Sequence, residues 1–157
     1  MIMKLTLKHI APYLPYGVEF ILSEEGVFNL GSEYGNPYQA YKPMKIINMI
    51  FSDKIEVEVY GEKQNWGAGF IELDEIKPIL RPLSDLTKEI EVNGEKFVPT
   101  SKVEYQLTIQ HVSNYPFDFA DLQRIPHRDF ENLIKWHFDV FGLIPNGLAI
   151  DINTLEP

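Results

Sequence analysis

The chain reads as an α+β protein, with a mostly antiparallel sheet and one long amphipathic C-terminal helix packed on it. Three observations predict this class. Short β-prone runs fill most of the chain before residue 113, Asn93-Gly94 marks a two-residue hairpin, and the apolar period changes from two to about 3.6 after Pro126. Strands followed by one dominant helix, with no room for repeated crossover helices, argue against a parallel βαβ sheet. The length of 157 residues fits a single globular domain over 1–157, and no linker or repeat divides it.

The elements follow in order. Thr6 is placed to cap a short helical turn, with Leu5 and Ile10 at the two staple positions, and Pro12 and Pro15 stop it early. Gly17 to Leu22 reads as a strand, and Gly26 to Leu30 is placed to pair back onto it. Residues 31–43 form a turn-rich loop. Residues 45–51, KIINMIF, read as a buried strand, and residues 54–60, KIEVEVY, as a half-buried one with Glu56 and Glu58 on its wet face. Ser52-Asp53 between them suggests a hairpin.

Asp74 is placed to cap a short helical piece from Glu75 to Leu80, kept short by Pro78 and Pro82. Residues 89–98, EIEVNGEKFV, form the hairpin, because both central positions of a type I′ turn want positive φ. A longer strand follows, Lys102 to Val112, with His111 on its apolar face. On a helical wheel Phe130, Leu133, Ile134, Trp136, His137, Phe138, Val140 and Phe141 fill one broad arc, while Glu131, Asn132, Lys135 and Asp139 fill the rest. His137 falls near the middle of that arc, which predicts a buried, neutral imidazole. Gly142 is expected to end the helix in a left-handed cap, with Leu143 packing against Phe138.

Composition narrows the function classes. With 45% hydrophobic and 13% aromatic residues the chain can build a core, so disorder is disfavoured. The absence of cysteine removes disulfides, thiolate metal sites and cysteine nucleophiles. The N-terminus does not read as a signal peptide, and no run approaches the roughly 18 apolar residues of a membrane span. A cytoplasmic protein without membrane contact is therefore expected. The net charge is −9, and the three arginines, Arg81, Arg124 and Arg128, are scattered, so direct nucleic-acid binding is disfavoured. Acidic residues accumulate between Asp53 and Glu75. They make either a solvated sheet face or a surface that attracts a basic partner and mimics a phosphate backbone.

Familiar catalytic signatures are missing: there is no Gly-rich phosphate loop, HExxH or GxSxG, and Trp66-Gly67-Ala68-Gly69 lacks the lysine of a nucleotide loop. His127 and Glu131 are four apart, but two ligands do not make a metal site, and neither metal nor cofactor is expected. His111 and His137 lie within apolar faces. They are either core histidines or catalytic groups oriented by Asp118 or Asp121. Tyr34, Tyr38 and Tyr41 lie at i, i+4 and i+7. They either pack over the sheet edge or form a binding surface, because tyrosine supplies contact area at low entropic cost.

The strings LTLKHIAPYLPYGV, KPILRPLSDLTKEI and HFDVFGLIPNGLAIDINTL resemble those of small proteins encoded by phages, prophages and mobile elements of gut Bacteroidales-type bacteria. The resemblance covers most of the chain. It implies a bacterial cytoplasm during phage or element replication, and it transfers no catalytic residue or cofactor.

The leading expectation is a non-enzymatic accessory protein that binds another protein, host or phage, through Tyr34, Tyr38 and Tyr41 first and Glu56 and Glu58 second. A sharper form is an inhibitor of a host defence or nucleic-acid-handling protein that works through the acidic surface. The alternatives are a small enzyme or ligand-binding protein built on His111 and His137 with nearby carboxylates, and a minor virion component. The sequence leaves the oligomeric state open.

Overall fold

Two prolines shape the first ordered turns. In the computed structural model, which describes residues 3–23, 44–49, 54–57, 69–103 and 125–155, helix α1 spans Leu7–Ile10. The backbone N–H of Thr6 donates to His9 Nδ1 at 3.2 Å, satisfying one of the donors that a helix start leaves open. Pro12 and Pro15 do not end the helical path. They tighten it into a 3₁₀ turn over Ala11–Tyr16, which stops at Gly17 with φ +70. Leu5, Ile10 and Tyr13 are buried along this path.

The chain divides into two compact units, Met1–Ile79 with Leu148–Ile150, and Leu80–Gly147 with Asp151–Pro157. The first holds most of a six-stranded sheet built from β1 (Glu19–Leu22), β2 (Met44–Met49), β3 (Lys54–Val57), β4 (Gly69–Glu72), β5 (Ile76–Leu80) and β8 (Ile150–Asp151). The order is β4-β3-β2-β1-β5-β8, and the pairings from β4 through to β5 are antiparallel. The mixed helix and antiparallel-sheet content agrees with the α+β expectation. The β2–β3 pairing agrees with the expected hairpin partners.

This order bends the sheet. Four strand spacings would put β4 about 19 Å from β5 in a flat sheet. Yet only the 3₁₀ turn Leu73–Glu75 joins them, and four residue steps reach about 14 Å at full extension. The sheet is therefore not flat: the end of β4 lies closer to the start of β5 than the strand order alone would place it.

β5 corrects an expectation. Residues 76–80 are a strand, and only Leu73–Glu75 is helical. Pro78 sits opposite Phe20 of β1, and the neighbour on the far side, β8, is two residues long. A proline lacks a ladder donor and is tolerated in such a near-edge strand. Ile76, Ile79 and Leu80 are buried, and this burial outweighs the helix-start signal of Asp74.

The second unit contains the hairpin of β6 (Ile90–Val92) and β7 (Glu95–Phe97), with Asn93 at φ 52 and Gly94 at φ 81, the positive pair that a type I′ turn requires. A Cβ at Gly94 would meet nothing within 4 Å, so any substitution penalty there comes from the backbone alone. Gly94→Val is expected to cost about 1–2 kcal/mol. An unchanged melting temperature would remove the turn assignment.

Helix α2 spans His127–Lys135, nine residues, so the long C-terminal helix is not formed. Its end explains why. His137 N–H donates to Ile134 O and Phe138 N–H to Leu133 O, both at 2.9 Å, and His137 has φ 60. These are the two bonds of a Schellman motif, with histidine in the left-handed place usually held by glycine. Histidine is among the residues enriched at positive φ. His137 thus lies beyond the helix and is half-buried, not central on its apolar face. The residues after it turn extended. Arg81 N–H donates to His137 O and Asp139 N–H to Arg81 O, both at 2.8 Å, making a parallel bridge. Gly142 is left-handed as expected, with φ 70, but it follows this extended segment. Among the described residues no helix is long and apolar enough to cross a membrane.

Candidate binding cleft

Three elements of the second unit meet around a cleft of about 620 Å³. The β6–β7 hairpin supplies Val92, Asn93, Glu95 and Phe97 to one wall, and the turn after Pro99 supplies Ser101, Lys102 and Val103. Helix α2 supplies the other wall through Arg128, Asn132 and Lys135, with Trp136 at its end. Positions i, i+4 and i+7 fall on one helix face, so the three polar side chains form a stripe along the cleft.

The apolar part is an aromatic pair. Phe97 and Trp136 have ring centroids 5.0 Å apart and planes tilted by 58°, within the range of favourable edge-to-face contacts. Lys102 Nζ stands 4.0 Å from the Phe97 ring centroid and forms an ion pair with Glu95. The ring and the carboxylate hold this ammonium from two sides. The hairpin carries a second cross-strand pair, Lys96 to Glu91 at 3.9 Å, with both side chains exposed and so worth little.

Charge in the cleft runs against the whole chain. Among the described residues that line it, Lys102, Arg128 and Lys135 stand with one acid, Glu95, in a protein of net charge −9. Among the described residues no histidine lines it. The cationic and aromatic groups present are suited to holding an anion against an apolar wall.

A second polar cluster lies in the same unit. Asp85 is buried, forms an ion pair with the exposed Lys88, and accepts from Asn153 Nδ2 at 2.7 Å. The hydrogen bond and charge of Asp85 raise the Lys88 pKa above its ordinary value. Burial lowers that of Arg81, partly offset by Asp85. Arg81 Nη2 reaches the Glu91 carbonyl at 3.4 Å, and among the described residues its buried Nε has no hydrogen-bond partner. Asp139 is also buried, and its carboxylate accepts the backbone N–H of Leu143 at 2.8 Å and of Ile144 at 2.7 Å. Asp85 and Asp139 are structural anchors for loops.

The residues singled out from sequence distribute unevenly. His111, Asp118, Asp121, Tyr34, Tyr38, Tyr41 and Glu58 lie outside the described residues. Glu56 is in β3, opposite Phe70 of β4, and its side chain lies outside the description. His127 and Glu131 stand on α2 as an i,i+4 pair, and no group of three or more metal-ligating residues occurs among the described residues. Sequence reasoning missed Phe97, Lys102, Arg128, Lys135 and Trp136. The available signal was the Arg128, Asn132, Lys135 spacing, which reads equally as an ordinary solvated face. No protein-family model, no curated protein and no solved structure matches the chain.

Proposed function

We propose that this chain is an accessory protein of a phage or mobile element that acts in the cytoplasm of a bacterial host by binding another protein, without catalysing a reaction. The cleft carries this reading: an aromatic pair flanked by cations, arranged for recognition in an otherwise acidic protein. The sequence adds a second surface. Tyr34, Tyr38 and Tyr41 fall in the connection between β1 and β2, whose ends pair as neighbouring strands. The acidic run from Asp53 to Glu75, with Glu56 in β3, is the candidate surface for inhibiting a host defence or nucleic-acid-handling protein.

The test is capture from host lysate followed by reconstitution with the purified partner. A discrete partner that stays bound through gel filtration at physiological salt is the expected result. Replacing the three tyrosines by alanine should weaken capture at unchanged melting temperature. If no partner survives reconstitution, the reading fails. If the triple variant unfolds, the tyrosines belong to the core and not to the interface.

A further inference from the structure

We infer that Asn93 is a site of spontaneous deamidation, and that its conversion to aspartate or isoaspartate adds a negative charge to the wall of the cleft. The chemistry is the chain's own and is independent of any partner.

The sequence offers two such positions, Asn93-Gly94 and Asn146-Gly147. In an Asn-Gly pair the glycine nitrogen can attack the asparagine side chain, because no Cβ obstructs the approach. At Asn93 the Gly94 nitrogen loses its proton and bonds to Cγ. The Cγ–Nδ2 bond breaks, and ammonia leaves with that proton. The product is a five-membered succinimide. Water then opens one of the two bonds from the ring nitrogen to a carbonyl carbon. Opening at Cγ gives aspartate, and opening at the Asn93 main-chain carbonyl gives isoaspartate.

The structure separates the two positions. Asn146 Nδ2 donates to Gly142 O at 2.7 Å, and Gly147 N–H donates to Ile144 O at 3.0 Å. The leaving group and the nucleophile are both held there. The buried Asp139 carboxylate pins the same loop through the N–H groups of Leu143 and Ile144. Asn93 and Gly94 are exposed, and among the described residues the Asn93 side chain has no hydrogen-bond partner. The bond of a β-turn joins its first and fourth residues, here Val92 and Glu95, and leaves the Gly94 N–H outside it. Ring closure takes Asn93 out of its left-handed conformation, so the tip of the hairpin must open. With strands of only three residues on either side, that opening is local and costs little.

The consequence falls on the cleft. Asn93 lines it with Glu95, so a carboxylate there is a second acid beside the cations of the described lining. Isoaspartate also lengthens the main chain by one methylene within a two-residue turn, whose geometry sets the pairing of β6 with β7.

Ageing the full chain at neutral and mildly alkaline pH, followed by tryptic mapping of residues 89–96 and 136–157, tests this. The mass gain of an amide-to-acid exchange should appear at Asn93 about tenfold or more faster than at Asn146, which must first give up two hydrogen bonds. The rate should climb with pH, because the attacking nitrogen must lose its proton. In urea the two rates should converge. Equal or faster conversion at Asn146 in the folded chain would overturn the inference. An Asn93 that stays intact in the folded chain but converts in urea would also overturn it, because the turn would then protect the site. A gap that persists in urea would overturn the structural assignment, because neighbouring sequence and not the fold would be its cause.

Discussion

Asp139→Ala is expected to destabilise the protein by about 2–5 kcal/mol, because it strands two loop amides at once. The carboxylate is fully buried and holds the N–H groups of Leu143 and Ile144. Removing it takes away the acceptor of both amides, the Leu143 bond buried and the Ile144 bond part-buried, at about 1–3 kcal/mol for each amide left unsatisfied. Against a typical stability of about 5–15 kcal/mol, the loss is a large fraction. Urea denaturation measures it. Asp139→Asn keeps one acceptor oxygen and should lose less than the alanine variant. An alanine variant within about 1 kcal/mol of wild type would show that the loop finds other acceptors.

Phe138→Ala is the second large loss, about 3–5 kcal/mol. Phe138 is fully buried, its N–H closes the end of α2 on Leu133 O, and Leu133 is fully buried too. A Schellman end brings these two side chains together, so the cavity and the cap are lost in one substitution. A double-mutant cycle with Leu133→Ala separates them. Coupling of about 0.5–3 kcal/mol is expected for side chains in contact. Strict additivity would show that the cap stands on its backbone bonds alone.

The hairpin at Asn93-Gly94 was legible because its chemistry is local: two residues that tolerate positive φ between two β-prone runs admit few other structures. The strand over Lys54–Val57 was legible through its period of two. The end of α2 was not. Trp136, Phe138 and Val140 satisfy a helical arc and also alternate as a strand does, and the structure leaves the helix at His137 and runs alongside Arg81 at Phe138 and Asp139, where the backbone of Arg81 pairs. No glycine marks the turn, since histidine occupies the left-handed position. β5 was hidden for a related reason. Asp74 and Pro78 are helix-boundary signals, and the pairing with β1 that overrides them is non-local. The cleft was hidden because its aromatic and cationic walls come from segments some thirty residues apart in sequence, and each segment alone reads as an ordinary surface.

The left-handed turn at His137 also fixes the phase of the helix. Because the backbone after it is tied to Arg81, the angle at which each α2 side chain emerges is set by counting back from that point. Every residue added or removed between Lys135 and His137 would swing the Arg128–Asn132–Lys135 stripe by about 100° and carry its cations out of the cleft. Such an insertion or deletion could leave amphipathicity and composition almost unchanged. The number of residues between the stripe and the turn therefore decides which side chains of α2 line the cleft.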